Sequence, residues 1–413
     1  MPLLNKTRPA LPEAPGGNIA PPSSARLRTA LTVFFALDGF LFAGWVVRIP
    51  AIKHQTGASA SALGLALLGV SAGAVVTMML TGRLCRRFGS HAVTVVCGVL
   101  LSLSIALPAQ TRSALTLGLV LLAFGAAYGG MNVAMNSAAV ELVAALRRPV
   151  MPGFHAAFSL GGMVGAGLGG LVAGGLSPAA HLFALTGIGL LVTAAAGPAL
   201  LRHPAPGPEL RSASTSASAP ATDGSGARRP APRARRAVLL FGVIALCTAY
   251  GEGALADWGA LHLEQDLRAH PGVAAAGYSL FALAMTAGRL SGTTLLERLG
   301  QTRTLVAGGV TAAAGMLLGS LAPTAWAALL GFAVTGLGLA NIFPVAVARA
   351  GELSGPSGVA AASTLGYGGM LLGPPAIGFL ADWSSLPAAL TTVALLATAA
   401  AVLGYAARGT ARA

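Results

Sequence analysis

Apolar residues run along this chain in long stretches, not in the short alternations of a half-buried strand. A helix of about twenty apolar residues crosses a bilayer. We find twelve such stretches, at roughly 29–50, 60–81, 92–110, 114–139, 154–176, 180–201, 237–258, 273–294, 304–322, 325–348, 358–381 and 386–407. The pattern therefore predicts an all-α membrane protein with twelve transmembrane helices.

The stretches fall into two sets of six. Between them lies a segment rich in Pro, Ala, Ser and Gly, whose composition cannot bury a core and predicts a disordered cytoplasmic linker. The predicted domains are a disordered cytoplasmic N-terminus at 1–28, a six-helix bundle at 29–201, the linker at 202–236, a second six-helix bundle at 237–407 and a cytoplasmic tail at 408–413.

Composition agrees with a membrane protein. Hydrophobic residues make up 55% of the chain and charged residues only 9%, against about a quarter charged in a soluble domain. The surface must then be apolar, so the surrounding medium is lipid. The three cysteines are far apart and form neither a disulfide framework nor a zinc motif.

The basic residues indicate an orientation. The formal net charge is +14, but Lys and Arg lie at the ends of apolar stretches and form no nucleic-acid module, so nucleic acid is not expected as a partner. Most of the 26 basic residues lie on the side of the N-terminus, whereas the other side holds Arg48, Lys53, Arg112 and Arg268. This asymmetry predicts a multi-pass protein of the cell membrane with both termini cytoplasmic.

The two sets of six also repeat in sequence. DGFLFAGW (38–45) resembles EGALADW (252–258), GGMN (129–132) resembles GLAN (338–341), GAGLGGLV (165–172) resembles GPPAIGFL (373–380), and RRFG (86–89) resembles ERLG (297–300). Each match lies about 210 residues apart, a distance that spans six helices. Two pseudo-symmetric bundles with a cavity between them are the design of secondary transporters.

One loop supports a family resemblance. GRLCRRFG (82–89) resembles the signature G-x-L-x-D-R-x-G of the major facilitator superfamily, and the resemblance extends from about 28 to 408. The motifs WVVRIPAIK, FHAAFSLGGMVGAG, AMTAGRLSG and TLGYGGMLLGPPAIGFL are similar to the YbjJ-like group of bacterial inner-membrane members. The resemblance implies ion coupling, most often to protons. The signature falls on Gly82, Arg86, Arg87 and Gly89, with Glu297, Arg298 and Gly300 as its second copy.

Arg86 departs from the signature, which has Asp at this position. A charge latch that uses this Asp is therefore not expected in the first half, whereas the second copy keeps an acid as Glu297.

Two enzyme motifs are rejected. GVSAG (69–73) fits a nucleophile elbow and GAGLGG (165–170) fits a dinucleotide loop, but both motifs need a strand-turn-helix context and here lie inside apolar stretches. No nucleophile–base pair, metal cluster or nucleotide motif is present, so we expect neither an enzyme nor a cofactor beyond the coupling ion. Instead, Gly161, Gly165 and Gly169 form a packing ridge, and Pro374 and Pro375 should kink or break their helix.

Acidic residues at membrane depth are candidate sites, because a charge at mid-bilayer costs about 2.5–3.5 kcal/mol. Asp38 lies about 14 Å into the first stretch and either binds a proton or substrate or packs against a hydroxyl. Glu252 is predicted to line the cavity and to bind and release a proton, or else to pair with an arginine. Asp257 and Trp258 are predicted at the outer interface, as a boundary carboxylate and an anchor.

Amides and one tyrosine are further candidates. Asn132 and Asn136 share one helix face, and Asn341 occupies the matching place in the second half. Such amides either bind a polar solute or join helices. Tyr367 either lines the cavity or packs.

Arginines near the helix ends have two interpretations. Arg48 either pairs with Asp257 or Glu252 across the two halves, or extends to the surface. For Arg289 and Arg349 we expect extension to the surface.

Together these features predict a monomeric secondary active transporter that moves a small solute across the bilayer by alternating access, coupled to protons. The cavity residues suit a polar or sugar-like solute, and the apolar remainder suits an export substrate. Direction therefore stays open between uptake of such a solute and export of a metabolite or drug. A membrane sensor or scaffold that does not transport is the alternative.

Overall fold

The computed structural model describes residues 21–146, 150–202 and 232–408, and within these ranges the regular structure is helical. The first half contains α1 (Pro21–Val46), α2 (Ile49–Thr56), α3 (Ala60–Phe88), α4 (Ser90–Ser104), a 3-10 turn (Leu107–Gln110), α5 (Ala114–Leu146), α6 (Met151–Ala173) and α7 (Pro178–Leu201). The second half contains α8 (Pro232–Gln265), α9 (Pro271–Leu290), α10 (Gly292–Leu321), α11 (Ala325–Leu339), α12 (Ile342–Trp383) and α13 (Leu386–Ala406).

Twelve helical segments cross the membrane, as predicted. Eleven segments of the described ranges are long and apolar enough to span a bilayer. The twelfth is the second part of α12, which is rich in glycine and contains two prolines. Large apolar side chains such as Leu171, which is 82% exposed, cover the outside of the bundle. Such a surface is stable only against lipid.

The long helix α12 doubles back on itself near its middle. A Cβ atom at Gly358 would overlap the carbonyl oxygen of Ala350, although a straight helix would hold these residues about 12 Å apart. The segment therefore supplies the end of the tenth predicted span and the whole of the eleventh.

Close glycine contacts pack the first half. The backbones of Gly161 and Gly165 on α6 lie so near the carbonyls of Ala36 and Phe40 on α1 that a Cβ atom would overlap them. Gly169 contacts the side chains of Val47 and His181. These three glycines form the ridge that their spacing predicts, and they allow α1 and α6 to approach closely.

The second half repeats this packing and its connections. A Cβ atom at Gly369 on α12 would overlap the carbonyl of Leu246 on α8, matching the contact of Gly161 with Ala36. Gly89 follows the end of α3 and Gly300 lies at a kink inside α10, with left-handed φ angles of 86° and 74°, which glycine adopts readily. The predicted repeat is therefore also a repeat of backbone geometry.

A pair of hydrogen bonds follows the same repeat. Ser90 donates to Glu141 over 2.5 Å in the first half, and Gln301 donates to Glu352 over 3.3 Å in the second. Both bonds lie beside the loop-signature glycines, so the neighbourhood of the signature is duplicated as well.

Several predicted boundaries need correction. The helix α1 begins at Pro21, inside the segment predicted as a disordered N-terminus. The helix α8 begins at Pro232, inside the predicted linker, and ends at Gln265 rather than near 258. The short helix α2 was not predicted. The remainder of the N-terminus, linker and tail, at 1–20, 203–231 and 409–413, lies outside the described residues.

The halves meet along α3 with α12 and along α6 with α9. At the first contact, Gly64 lies against the carbonyl of Pro374, and Gly378 lies against that of Ala60. The helix α12 continues through Pro374 and Pro375, so the predicted break at these prolines is wrong. These contacts lie towards the end of the bundle at which α1 ends and α3 begins, here called the outer end because the charge pattern predicts that it faces outward.

A carboxylate joins the two halves at this outer end. Asp382 accepts hydrogen bonds from the backbone N–H groups of Ala60, over 2.9 Å, and Ser61, over 2.8 Å. These groups begin α3, where the helix dipole favours negative charge. We call this contact the outer clamp. Close to it, Lys53 donates to Gln265 over 3.2 Å.

Candidate functional site

A cavity of about 230 Å³ lies between the two halves. Its lining comes from α1, α3, α5 and α6 of the first half and from α8, α9 and α12 of the second. The charged residues in the lining are Glu252, Asp257 and Arg289. Tyr367 lines it too, so of the alternatives for this residue the structure favours the cavity position.

Glu252 lies on α8 as a cavity residue and pairs with an arginine. The guanidinium of Arg289 is 3.3 Å and 3.5 Å from its two carboxylate oxygens. The cavity position and the pairing with an arginine are thus both found, while proton binding by Glu252 stays a prediction. Arg289, in the last turn of α9, does not extend to the surface as expected but turns back into the cavity. Its side chain is 47% exposed, so the cavity communicates with the end of the bundle opposite the outer clamp.

Asp257 also lines the cavity, contrary to its predicted place at the membrane boundary. The helix α8 continues for two further turns, to Gln265, which leaves Asp257 well inside the bundle. Its carboxylate makes no hydrogen bond or ion pair with the described residues. Trp258, predicted as an interfacial anchor, is fully buried, and its indole N–H has no partner in the described part of the chain.

Seven aromatic residues contribute to the remaining wall. Phe42 stacks on Tyr128 with ring centroids 5.0 Å apart, and Tyr278 lies 6.3 Å from Phe281. The other rings in the lining are Trp45, Phe158 and Tyr367. The polar lining is completed by Ser71, Ser159 and Thr286. The cavity is thus a ring-lined space with a few polar groups, which is typical of sites for small molecules.

Asp38 lies beside this cavity and not in its lining. The neighbouring Gly39 lines the space, whereas Asp38 is fully buried inside the first half. It is close enough to Cys97 and Tyr128 for an electrostatic interaction. Neither carboxylate oxygen has a hydrogen-bond partner among the described residues. The proposed hydroxyl partner is therefore not found, and direct contact with a solute in this cavity is excluded for this conformation.

The side chain of Arg48 binds residues within the first half. Its Nε donates to His181 Nδ1 over 2.8 Å, and its other nitrogens donate to the carbonyls of Ala173 and Val172 over 3.3 Å and 3.5 Å. These carbonyls end α6, where a cation is favoured by the helix dipole. The predicted pairing with Asp257 or Glu252 and the predicted extension to the surface are both wrong, because the side chain is buried against α6 and α7.

The three candidate asparagines bond to helices outside the cavity lining. Asn136 donates to the carbonyl of Asn132 over 2.8 Å on the same helix. Asn341 donates to the carbonyl of Gly288 over 2.8 Å and so joins α12 to α9. Of the two predicted roles, the structure favours helix contacts over binding of a solute.

The loop-signature residues belong to the end of the bundle away from the outer clamp. Gly82, Arg86 and Arg87 lie in the last two turns of α3, where the guanidinium of Arg87 lies 5.2 Å from the ring centroid of Phe88. Glu297 and Arg298 occupy the matching turn of α10, just before Gly300. These residues are not part of the cavity.

Comparison with known families agrees with this architecture. The profile of the Major Facilitator Superfamily matches residues 29–298 and 243–412, which together cover most of the chain. This chain belongs to the major facilitator superfamily. Among its relatives is an uncharacterised transporter of the same superfamily from Yersinia pestis, 35% identical over 385 residues, which cover 92% of this chain and 94% of the relative.

Solved structures show the same fold. A bacterial homologue of the human lysosomal transporter Spinster, in an inward-facing and unoccupied conformation, aligns over 95% of this chain and 98% of its own, with a TM-score of 0.76 and 13% identity. The nucleoside transporter NupG aligns over 94% and 99%, with a TM-score of 0.69 and 16% identity. The superfamily is thus shown, while the YbjJ-like assignment within it stays a prediction.

Proposed function

We propose that this superfamily member is a secondary active transporter that moves a small solute by alternating access and couples the movement to protons. The observation that carries the proposal is the cavity between the halves, to which both halves contribute and in which Glu252 and Arg289 face the solute space. Buried carboxylates that contact such a space are the groups that bind protons and substrates in membrane transporters.

The contacts between the halves support alternating access. The outer clamp and the glycine contacts hold the halves together at the outer end, while Arg289 is partly exposed towards the other end. In the orientation that the basic residues predict, this is a conformation open to the cytoplasm. The opposite conformation requires that the clamp separates and that the inner ends of the halves close.

Glu252 and Arg289 form the coupling pair in this proposal. The guanidinium of Arg289 stabilises the ionised form of Glu252, because an opposite charge within about 4–6 Å favours a carboxylate. When the halves rock, a change of this distance alters how strongly Glu252 binds a proton. A proton taken up on one side is then released on the other.

The first experiment uses the purified protein in liposomes that contain a trapped pH dye. A panel of sugars, organic acids, amino acids and organic cations is added under a membrane potential clamp. A proton movement that depends on one solute supports a coupled transporter, and its sign separates symport from antiport. Silence across the panel, with solute binding still seen by thermal unfolding, contradicts proton coupling and favours the sensor alternative.

A further inference from the structure

We infer that the cavity binds a small organic cation, held between the carboxylate of Asp257 and the aromatic wall, and that this cation exchanges for a proton on Asp257. The inference rests on the proposed transport function and adds to it a substrate class and a direction of coupling. It does not depend on the role given to Glu252.

The charges in the cavity lining do not balance. Glu252 and Arg289 neutralise each other across 3.3 Å. Asp257 lines the same cavity and has neither an ion pair nor a hydrogen bond in the described ranges. The remaining polar lining residues are hydroxyl groups of serine, threonine and tyrosine. The lining therefore holds one carboxylate in excess.

A carboxylate in such a place needs a positive partner. Burying an unpaired ionised carboxylate is far more costly than burying its neutral form, so the group binds a proton or a cation. The partner must come from outside the protein, because the cation within the cavity, Arg289, already binds Glu252. A solute with one positive charge fits this requirement. An anionic solute would be repelled by the excess negative charge of the lining.

The wall of the cavity suits the same ligand. Trp45, Tyr128 and Tyr278 contribute ring surface to the lining, and organic ammonium groups bind over aromatic faces within about 6 Å of the ring centroid. Aromatic side chains also provide the apolar surface that methyl groups on an ammonium require. The cavity volume of about 230 Å³ limits the occupant to a small molecule.

Competition at Asp257 couples the cation to protons. One carboxylate holds either a proton or an ammonium group, because the second positive charge would have no partner. Entry of the cation releases the proton to the side that is open, and departure of the cation on the other side leaves a carboxylate that takes up a proton there. At Asp257, the exchange is therefore antiport of one cation for one proton.

Other groups of the cavity face Asp257 and share its electrostatic environment. They are Glu252 on the same helix, Arg289 and Tyr278 on α9, Tyr128 on α5 and Tyr367 on α12. The residues that α1, α3 and α6 contribute to the lining are uncharged.

The test compares three probes of one shape and different charge. Choline is the cation, 3,3-dimethylbutan-1-ol is its neutral analogue and 3,3-dimethylbutanoate is the anion. Binding to the purified full-length protein is measured by thermal unfolding and by proton release into weakly buffered solution. We expect choline to raise the Tm and to release about one proton per bound molecule, and we expect the alcohol and the anion to do neither.

Variants assign the effect to one residue. Asp257→Asn removes the charge at constant shape and should lower choline affinity at least about 30-fold, the usual result of losing one member of a buried charge pair. Asp257→Glu keeps the charge and should bind choline within about tenfold of the wild type. Glu264→Gln, two turns further along α8 and outside the cavity lining, is the matched control and should bind choline as the wild type does.

Several outcomes overturn the inference. They are equal binding of the alcohol and choline, unchanged choline affinity in Asp257→Asn, or lack of choline binding. If the inference fails while a neutral solute still drives proton movement in liposomes, the proposed transport function stands. If choline binds with proton release but no labelled choline crosses the bilayer, the cation site at Asp257 stands, whereas the transport function and the antiport that rests on it fail.

Discussion

The two halves of this protein share a backbone pattern but not a chemistry. Gly161 against Ala36 in the first half corresponds to Gly369 against Leu246 in the second. The carboxylates do not follow this correspondence, because the same offset of 210 residues pairs Asp38 with Thr248 and Glu252 with Phe42. Asp38 is sealed inside the first half, whereas Glu252 faces the cavity and binds Arg289.

This difference shows which features a duplicated sequence retains. Close helix contacts depend on the backbone and on the absence of a side chain, and both halves need them to hold their helices together. A solute site needs only one set of charged groups. The charged lining of the cavity therefore comes from α8 and α9, while the first half supplies aromatic rings, small residues and hydroxyl groups.

The largest effect is expected when the shared packing is broken. Gly161→Val and Gly369→Val each drive a side chain into a backbone carbonyl, and each should lower the free energy of unfolding by about 3 kcal/mol, at the upper end of overpacking costs. Thermal unfolding in detergent measures both. Gly167→Val and Gly368→Val are the controls, because nothing lies within 4 Å of a Cβ atom at either position. If only one of Gly161→Val and Gly369→Val lowered the stability, the two glycine contacts would not be equivalent.

The second effect tests the chemistry that the halves do not share. Glu252→Gln keeps the shape of the side chain but holds no exchangeable proton, so proton-driven accumulation of solute should fall at least about tenfold, while solute exchange without a gradient persists. Uptake into liposomes with and without a pH gradient gives both rates. Glu264→Gln serves again as the matched control. Accumulation at the wild-type level would remove Glu252 from the coupling mechanism.

A smaller effect is expected at the outer clamp. Asp382→Asn weakens two hydrogen bonds to the start of α3. Because the carboxylate is exposed, we expect the free energy that holds the outer ends together to fall by only about 1 kcal/mol. This is roughly a fivefold shift of the conformational equilibrium towards separation of the outer ends. Distances between spin labels on α3 and α12 report this population. Ser177→Ala removes an N-cap within one half, where Ser177 accepts from Ala180, and should leave the distances unchanged.

The clamp should be insensitive to pH in the physiological range. The hydroxyl of Ser61, together with the backbone N–H groups of Ser61 and Ala60, lowers the pKa of Asp382 below its ordinary value. A lowered pKa means that the contribution of the clamp is present above the ordinary Asp pKa of about 3.9 and is lost only as the pH falls below it. The difference in label distances between the wild type and Asp382→Asn should therefore be the same at about pH 8 and about pH 5, and a difference that changes with pH would contradict this.

The smallest effect is expected at Asp38. Because this side chain does not contact the cavity and has no hydrogen-bond partner among the described residues, Asp38→Asn should change solute affinity by less than about threefold and the free energy of unfolding by less than about 1 kcal/mol. Isothermal calorimetry and thermal unfolding test these values. A larger loss of affinity would return Asp38 to the solute site and make the two halves chemically alike.

The lengths of the apolar stretches were sufficient to predict the fold. A helix that crosses lipid must make all its backbone hydrogen bonds internally and expose apolar side chains along its whole length. The same reasoning misplaced Asp257. The seventh apolar stretch was predicted to end near 258, but α8 continues through the polar residues His262, Glu264 and Gln265. The apolar residues Ala260, Leu261 and Leu263, interleaved with the polar ones, are the signal that would have extended the helix.

Side-chain partners were less predictable than helices. Arg48 binds carbonyl groups that lie about 125 positions further along the chain, and local sequence carries no information about such a neighbour. The faces of α1 present a similar difficulty, since Asp38 and Gly39 are adjacent in sequence but point into the bundle interior and into the cavity. Only the packing of α1 against the other helices separates these two environments.

The cavity also has a consequence for hydration. When no solute is bound, its carboxylates and tyrosine hydroxyls offer the two to four polar partners that an ordered water molecule requires. Under the proposed alternating access, an empty carrier would carry a small quantity of water across the bilayer, and a loaded carrier would leave this water behind. Solute recognition in the proposed cycle is therefore also a dehydration step, in which water leaves aromatic surface for bulk solvent.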